Sequence, residues 1–189
     1  MIKISKNNII ELLKYRGFDI NTDVIDQFMQ NDSKSISVQN NKEIHKFIYN
    51  FNDKLNKNTL NKIINEYHEI TDKIQVFSIV TFENITKTIE NTIKIISQKY
   101  KSKIVLFDIK NLMINPTKHH LFAKHELINA NDDFKKALCD ELHIINIYKI
   151  PKISVNDVMA KYINLNIGDI CKITRKTNQG QVAIFKLCV

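Results

Sequence analysis

Only three glycines, Gly17, Gly168 and Gly180, and two prolines, Pro116 and Pro151, interrupt this 189-residue chain. That scarcity limits where the backbone can turn sharply or take a left-handed conformation. Loops that cradle phosphate need glycine so that backbone N–H groups can converge, and no GxxxxGK, GxGxxG or GxSxG run occurs. Nucleotide hydrolysis is therefore not expected. With 43% hydrophobic residues the chain can bury a core without disulfides. Cys139, Cys171 and Cys188 form an odd set with no CxxC or CxxxC spacing, which predicts neither a disulfide framework nor a zinc ribbon and fits a reducing compartment.

The few breakers mark off the elements. Gly17 followed by Phe18 predicts a left-handed stop for a first helix that opens at Ser5, uses Ile9, Ile10, Leu12 and Leu13, and ends near Arg16. Thr22 opens a second helix with Val24, Ile25, Phe28 and Met29 on one side, ended by the polar stretch 31–33. Residues 35–39 and 45–51 read as strands around an Asn40-Asn41 turn, the second closed by Asn52-Asp53. Helical spacing then runs through Leu55, Thr59, Leu60, Ile63, Ile64, Tyr67 and Ile70. A buried strand at 74–81, a helix capped by Asn84 with Ile85, Ile89, Ile93 and Ile96, and a strand at 104–107 complete an alternating α/β pattern.

Beyond Pro116 the character changes. A short apolar segment lies at 120–123, and Asn131 with Asp132 and Asp133 starts a helix through Phe134, Leu138 and Leu142. After Pro151, Ser154 and Asp157 read as a capping box for a short helix with Val158, Met159 and Tyr162, and Asn164 suits the left-handed position behind it. Strands at 170–176 and 181–187 close the chain as a hairpin through 177–180. The expected architecture is an α/β domain at 1–110 followed, without a flexible linker, by a small mixed α+β domain at 111–189 that ends in a β-hairpin.

A net charge of +8 invites a nucleic-acid reading, but the lysines are spread. Residues 1–110 hold 17 Lys and Arg against 13 Asp and Glu, and residues 111–189 hold 11 against 7, so neither part is a basic arm. The abundance of Lys, Asn and Ile is what A+T-rich coding produces. The first residues mix Lys, Asn and Glu into apolar positions and no run of 18 uncharged apolar residues occurs, so neither a signal peptide nor a membrane span is expected.

Chemistry is thinly signalled. His119, His120 and His125 are the densest set of ligand-type side chains, yet no second cluster of Cys, His or carboxylate stands at ligand spacing, and a partner-binding surface is the better role for them. Asp108 and Lys110 after a strand resemble half of a metal-dependent nuclease site, but the adjacent predicted strand at 74–81 supplies no second carboxylate. Residue by residue, the chain reads as a two-part scaffold that presents surfaces.

The run Asn115, Thr117, His119, Leu121, Lys124, His125 resembles the N-I-T-x-H-x-L-V-P-K-H signature of the fifth shared subunit of eukaryotic RNA polymerases, a family with a shorter archaeal counterpart. The likeness continues in order through Ile150-Pro151-Lys152-Ile153, Asp157, Ala160-Lys161-Tyr162, Leu165, Gly168-Asp169-Ile170, Lys172-Ile173, Arg175-Lys176 and Gly180. Such a register is far more specific than a short motif. Upstream, Leu12 to Phe18 is similar to the family's first helix and its L-x-x-R-G-Y turn. Ala123, Val158, Asn164 and Gln181 stand where the family has Pro, Pro, Gly and often Arg, and Lys152 where it has Arg, which weakens bidentate contacts to a partner carboxylate.

The resemblance implies a non-catalytic subunit without cofactor, metal or small-molecule substrate. It implies an amino-terminal jaw at 1–110, absent from the archaeal form, and an assembly domain at 111–189 that docks on the largest polymerase subunit beside other polymerase subunits. His119, Lys124, His125, Lys152, Asp157, Tyr162 and Arg175 are the candidate contacts, although Asp157 alone reads as a helix cap and Tyr162 as core. Thr86 and Lys87, in the jaw segment that approaches DNA, are candidates for weak, sequence-independent contact with downstream DNA. Divergence and A+T-rich composition point to a large DNA virus, with the protein in host cytoplasm and virion; in a cellular parasite it would be nuclear. The competing readings are a free-standing DNA-binding transcription regulator and, behind it, a metal-dependent nuclease.

Overall fold

The computed structural model describes every residue except Asn31, Asn52, Asp53, Glu69, Ile70, Asp72, Asn129, Asn178 and Gln179. The chain divides into two compact units, Met1–Ile114 and Asn115–Val189.

The first unit is built on a four-stranded sheet in the order β1 (Ser35–Gln39), β2 (Glu43–Asn50), β3 (Ile74–Thr81), β4 (Lys103–Asp108). Strands β2, β3 and β4 are parallel and β1 runs antiparallel to β2 at the edge. Parallel strands joined by helices are covered on both faces, so they must be apolar in both pleat directions. Accordingly β3 is buried from Gln75 to Thr81, whereas edge strand β1 alternates buried Ile36 and Val38 with exposed Ser37 and Gln39. Helices α1 (Ile2–Tyr15) and α2 (Thr22–Met29) lie over the face that carries His45, Phe47 and Tyr49, as Ser5, Phe18 and Phe28 show by touching those side chains. Helices α3 (Lys57–Tyr67) and α4 (Lys87–Tyr100) cover the opposite face, where Leu60, Ile64 and Ile96 pack with Ile48, Phe77, Ile79, Ile104 and Leu106.

Two local expectations meet a different outcome. Helix α1 does not open at Ser5; it begins at Ile2, and Ser5 lies fully buried within it. The Ser5 hydroxyl donates to Ile2 O at 2.8 Å, so at 2.7 Å from the Tyr49 hydroxyl it accepts, a tertiary role invisible in local sequence. Asn84 does not cap α4, whose N-cap is Thr86. Asn52, Asp53 and Ile70 lie outside the described residues. The stop at Gly17 is as expected: with φ +85° there, Phe18 N–H reaches back to Leu13 O at 3.1 Å.

The second unit holds a sheet in the order β5 (Lys124–Ile128), β7 (Ile170–Thr177), β8 (Gly180–Cys188), β6 (Lys152–Ile153). Both pairs in β5-β7-β8 are antiparallel, and β6 pairs in parallel with the end of β8. Neither β5 nor β6 was expected; the apolar segment at 120–123 is turn, and the strand follows it. Helix α5 (Asp132–Glu141) is capped by Asn131, whose Oδ1 accepts from Phe134 N–H at 2.9 Å. Helix α6 (Val158–Tyr162) is capped by Asp157 rather than by a Ser154 box. Asp157 Oδ1 accepts from Met159 N–H at 2.8 Å, while Ser154 Oγ takes Asn156 N–H in the turn before it. Asn164, at φ +62°, occupies the left-handed position behind α6 as its side chain permits.

Candidate functional site

Strand register decides which candidates in the second unit can act together. His125 pairs with Ile173 and Arg175 with Val182, so in the period-two pleat both point to the face that holds Cys171, Ile173 and Cys188. Lys124 and Lys152 point to the other face, with Leu187 and Phe185. They also sit on strands at opposite edges of the sheet, three strand spacings or roughly 14 Å apart. The seven candidates are therefore not one patch.

Their chemistry also differs. Lys124 Nζ lies 2.6 Å from Glu126 on its own strand, an exposed pair that contributes little to stability. The His125 Nδ1–H donates to Ala123 O at 2.6 Å. His119 is exposed, with Nδ1 accepting from Leu121 N–H at 3.2 Å and its ring 4.5 Å from that of His120. Lys152 and Arg175 are exposed. Tyr162 is buried, and its hydroxyl donates to Asn115 Oδ1 at 3.3 Å. That same oxygen accepts from Thr117 N–H at 2.9 Å and Thr117 Oγ at 2.7 Å, which makes buried Asn115 the hub that fixes the turn carrying the histidines. Tyr162 and Asp157 thus shape the unit from within. Tyr162→Phe is expected to cost about 1 kcal/mol in urea unfolding, the value of one hydrogen bond. Partner recovery should be unchanged, and loss of partner binding at unchanged stability would return Tyr162 to the contact surface.

Sequence reading missed the exposed apolar side chains. Leu121, Ile145, Tyr148 and Ile167 are all at least 70% exposed, each in a turn, loop or single 3-10 turn of this unit. For Ile145 and Tyr148 a signal was present in the segment Ile144 to Ile150, whose apolar residues, broken by Asn146 and Lys149, no strand or long helix absorbs.

In the first unit, Thr86 and Lys87 stand exposed at the start of α4, and Thr86 makes no side-chain cap bond. Glu83 in the preceding loop and Glu90 in the first turn place negative charge near that terminus, which opposes an incoming phosphate. Asp108 accepts Lys110 N–H at 2.9 Å as cap of the 3-10 turn Ile109–Leu112, and its β3 neighbour is Thr81. Among the described residues no three of His, Cys, Asp and Glu gather as a metal-binding group, and no helix is long and apolar enough to cross a membrane.

A buried polar constellation in this unit carried no sequence signal. His45, 1% exposed, lies between Arg16 Nη1, 2.9 Å from Nδ1, and Glu43 Oε2, 2.7 Å from Nε2. A guanidinium only donates, so Nδ1 accepts and the Nε2–H donates to Glu43. The imidazole is neutral. Burial holds its pKa below 6.5, against the raising effect of Glu43 and with the lowering effect of Arg16 and Lys103. The bond from His45 holds the Glu43 carboxyl below its usual range. Tyr49, on the same face, is pushed up to about 12 by burial.

Capped turns, a mixed sheet and loops with exposed apolar side chains thus characterise the second unit. Residues 114–188 match the family model for the RNA polymerase Rpb5 C-terminal domain. The chain is 33% identical over 79 residues to the DNA-directed RNA polymerase subunit Rpo5 of Sulfurisphaera tokodaii, covering 41% of this chain and 90% of the relative. It is 30% identical over 117 residues to the Dictyostelium discoideum protein named as the rpabc1 subunit of DNA-directed RNA polymerases I, II and III, covering 59% of this chain and 55% of that protein. A protein of Invertebrate iridescent virus 6, named as a DNA-directed RNA polymerase subunit, is 34% identical over 96 residues, 47% of this chain and 52% of its own length. The chain spans about half the length of the Dictyostelium and viral relatives and nearly all of the archaeal one. The chain belongs to the Rpb5 family of RNA polymerase subunits.

Proposed function

We propose that this protein is a non-catalytic structural subunit of a DNA-directed RNA polymerase, docked on the largest subunit through residues 111–189 and carrying residues 1–110 as a jaw beside downstream DNA. The observation that supports this most is the match to archaeal Rpo5 over 79 residues and 90% of that relative's length, because a protein of that size is little larger than the second unit, which the family model for residues 114–188 covers. The Dictyostelium match is longer than residues 115–189 and so reaches into the first unit, which favours a eukaryotic-type, two-part subunit. Docking would use exposed His119, Lys124, Lys152 and Arg175 together with the apolar Leu121, Ile145 and Ile167, while His125, Asp157 and Tyr162 hold the scaffold that presents them. Contact of Thr86 and Lys87 with DNA would be weak and independent of sequence, with about one unit of salt slope for the single lysine.

Affinity purification of the tagged chain from native material is expected to recover the two largest polymerase subunits in stoichiometric amount. Recovery without any large polymerase subunit, joined to tight and salt-sensitive DNA binding by the purified chain, would replace this reading with a free-standing regulator. Magnesium-dependent cleavage lost in Asp108→Ala would replace it with a nuclease.

A further inference from the structure

The hairpin of β7 and β8 runs beyond the sheet that supports it. Strand β5 leaves β7 at Thr174, and β6 pairs with β8 only at Leu187 and Cys188. Residues 175–177 and 180–183 are exposed, with Val182 at 49%. Backbone polarity along β8 follows from three bonds. Leu187 N–H donates to Pro151 O and Val189 N–H to Ile153 O, both outward toward β6, whereas Cys188 N–H donates to Asp169 O on the opposite, β7 side. Alternation along the strand then turns the N–H and C=O groups of Gln181, Ala183 and Phe185 to the outer edge, and those of Val182, Ile184 and Lys186 to β7. The β6 ladder stops where it does because its next donor would be residue 151, a proline with no N–H for the Phe185 carbonyl.

We propose that the outer edge of β8 from Gln181 to Phe185 receives an extended, acidic segment of a partner polymerase subunit as an added strand; this rests on the subunit reading above. Free edges are usually blunted by proline, an inward charge or a bulge, and this stretch of β8 carries none of them. An edge that alternates donors and acceptors fits another backbone. Phosphate groups offer acceptors alone and would leave the edge carbonyls unpaired. Charge selects the partner. Between Ile170 and Val189 the chain has Lys172, Arg175, Lys176 and Lys186 and no Asp or Glu. By register Arg175 and Lys186 lie on one face of the hairpin and Lys172 and Lys176 on the other, so both faces are cationic. Lys186 stands on β8 itself and the other three on β7, two strand spacings or roughly 10 Å from an added strand, near enough to attract an acidic segment. A second copy of this chain would bring the same four cations and be repelled.

Ala183→Pro removes an outward N–H and blocks pairing at the edge while leaving the β7 ladder intact. In the full chain it is expected to lower recovery of the large polymerase subunits at least tenfold, with the amides of Val182 and Ile184 still protected from hydrogen exchange. In the unsubstituted chain the amides of Gln181 and Ala183 should exchange freely when it is alone and at least tenfold more slowly in the assembled polymerase, a reading that does not depend on the variant folding. Lys172→Glu combined with Arg175→Glu should also reduce recovery. If Ala183→Pro recovers the subunits as well as the parent chain does, or the two amides exchange equally fast in the polymerase, the edge stays open and the proposal is wrong while the subunit reading stands. Concentration-dependent protection of those amides in the isolated chain would assign the edge to a second copy and also overturn it. Recovery of no polymerase subunit by the parent chain defeats the subunit reading itself.

Discussion

Replacing Phe77 by alanine is expected to destabilise the first unit by about 3–5 kcal/mol, the usual cost of emptying a fully buried phenylalanine site. Phe77 is inaccessible to solvent at the centre of β3, among Leu60, Ile64, Ile79 and Ile96. Its ring lies 6.4 Å from that of His68 and 6.0 Å from Lys46 Nζ. Buried Lys46 also donates to Tyr67 O at the end of α3, so the cavity would open beside a desolvated ammonium and draw water toward it. Strands on both sides of β3 and helices on both its faces prevent collapse, which places the loss in the upper part of the range. Native-state hydrogen exchange at the β3 amides reads this unit separately from the other. A loss below about 1 kcal/mol would show that the two helices relax into the space, contrary to the packing of a doubly covered sheet.

That doubly covered sheet was legible in sequence for a simple reason: its signals are local. The spacing of Leu60, Ile63, Ile64 and Tyr67 follows from one helix face, and the apolar run of β3 follows from burial on both sides. Asn131 was readable as a cap because the two aspartates behind it suit a helix amino terminus. The failures share another cause. Ser5 looks like a cap, but its partner is Tyr49, forty-four residues away, and a long-range bond leaves no local trace. Asn84 is as good a cap as Thr86 by composition, and nothing in the local sequence says that the helix opens at Lys87. Strand β6 has two residues and exists because β8 stands beside it, not because Lys152 and Ile153 prefer extension.

The geometry of the candidate residues was not legible in the sequence. Motif reading found Tyr162 and Asp157, which the fold uses internally as a hydrogen-bond donor to Asn115 and as a helix cap. It took Asn115 as part of a signature without seeing that one oxygen there collects three donors. Separation of Lys124 and Lys152 onto opposite edges, and of His125 and Arg175 onto the other face, depends on strand order and register, which a linear pattern does not encode. That no strand among the described residues pairs with the outer edge of β8 at 181–185 is likewise a matter of what stands beside a strand. Only Pro151 announced it, as a residue unable to donate.

Acidification is expected to destabilise the first unit through His45, with a slope of at most about 1.4 kcal/mol per pH unit for one proton. Burial keeps the imidazole neutral in the folded chain, so its pKa there lies below the unfolded 6.5. As pH falls the unfolded chain takes up the proton first. Stability is therefore complete above about 6.5 and declines as pH drops from there through the folded value. Geometry gives the reason. A proton on Nδ1 would face Arg16 Nη1 at 2.9 Å, donor against donor, with Lys103 adding to the repulsion and only Glu43 opposing it. Glu43 acts in the same direction at lower pH, since its folded pKa is also depressed and its share is lost as pH falls from about 4.5. His45→Gln removes the titration while a side-chain carbonyl can still accept from Arg16 and an amide can still donate to Glu43. Urea midpoints between pH 7 and 5 should fall with pH more for the parent chain than for His45→Gln. Equal slopes would mean that His45 takes up its proton at the same pH in the folded and unfolded chain, so that burial and Arg16 do not hold the imidazole neutral.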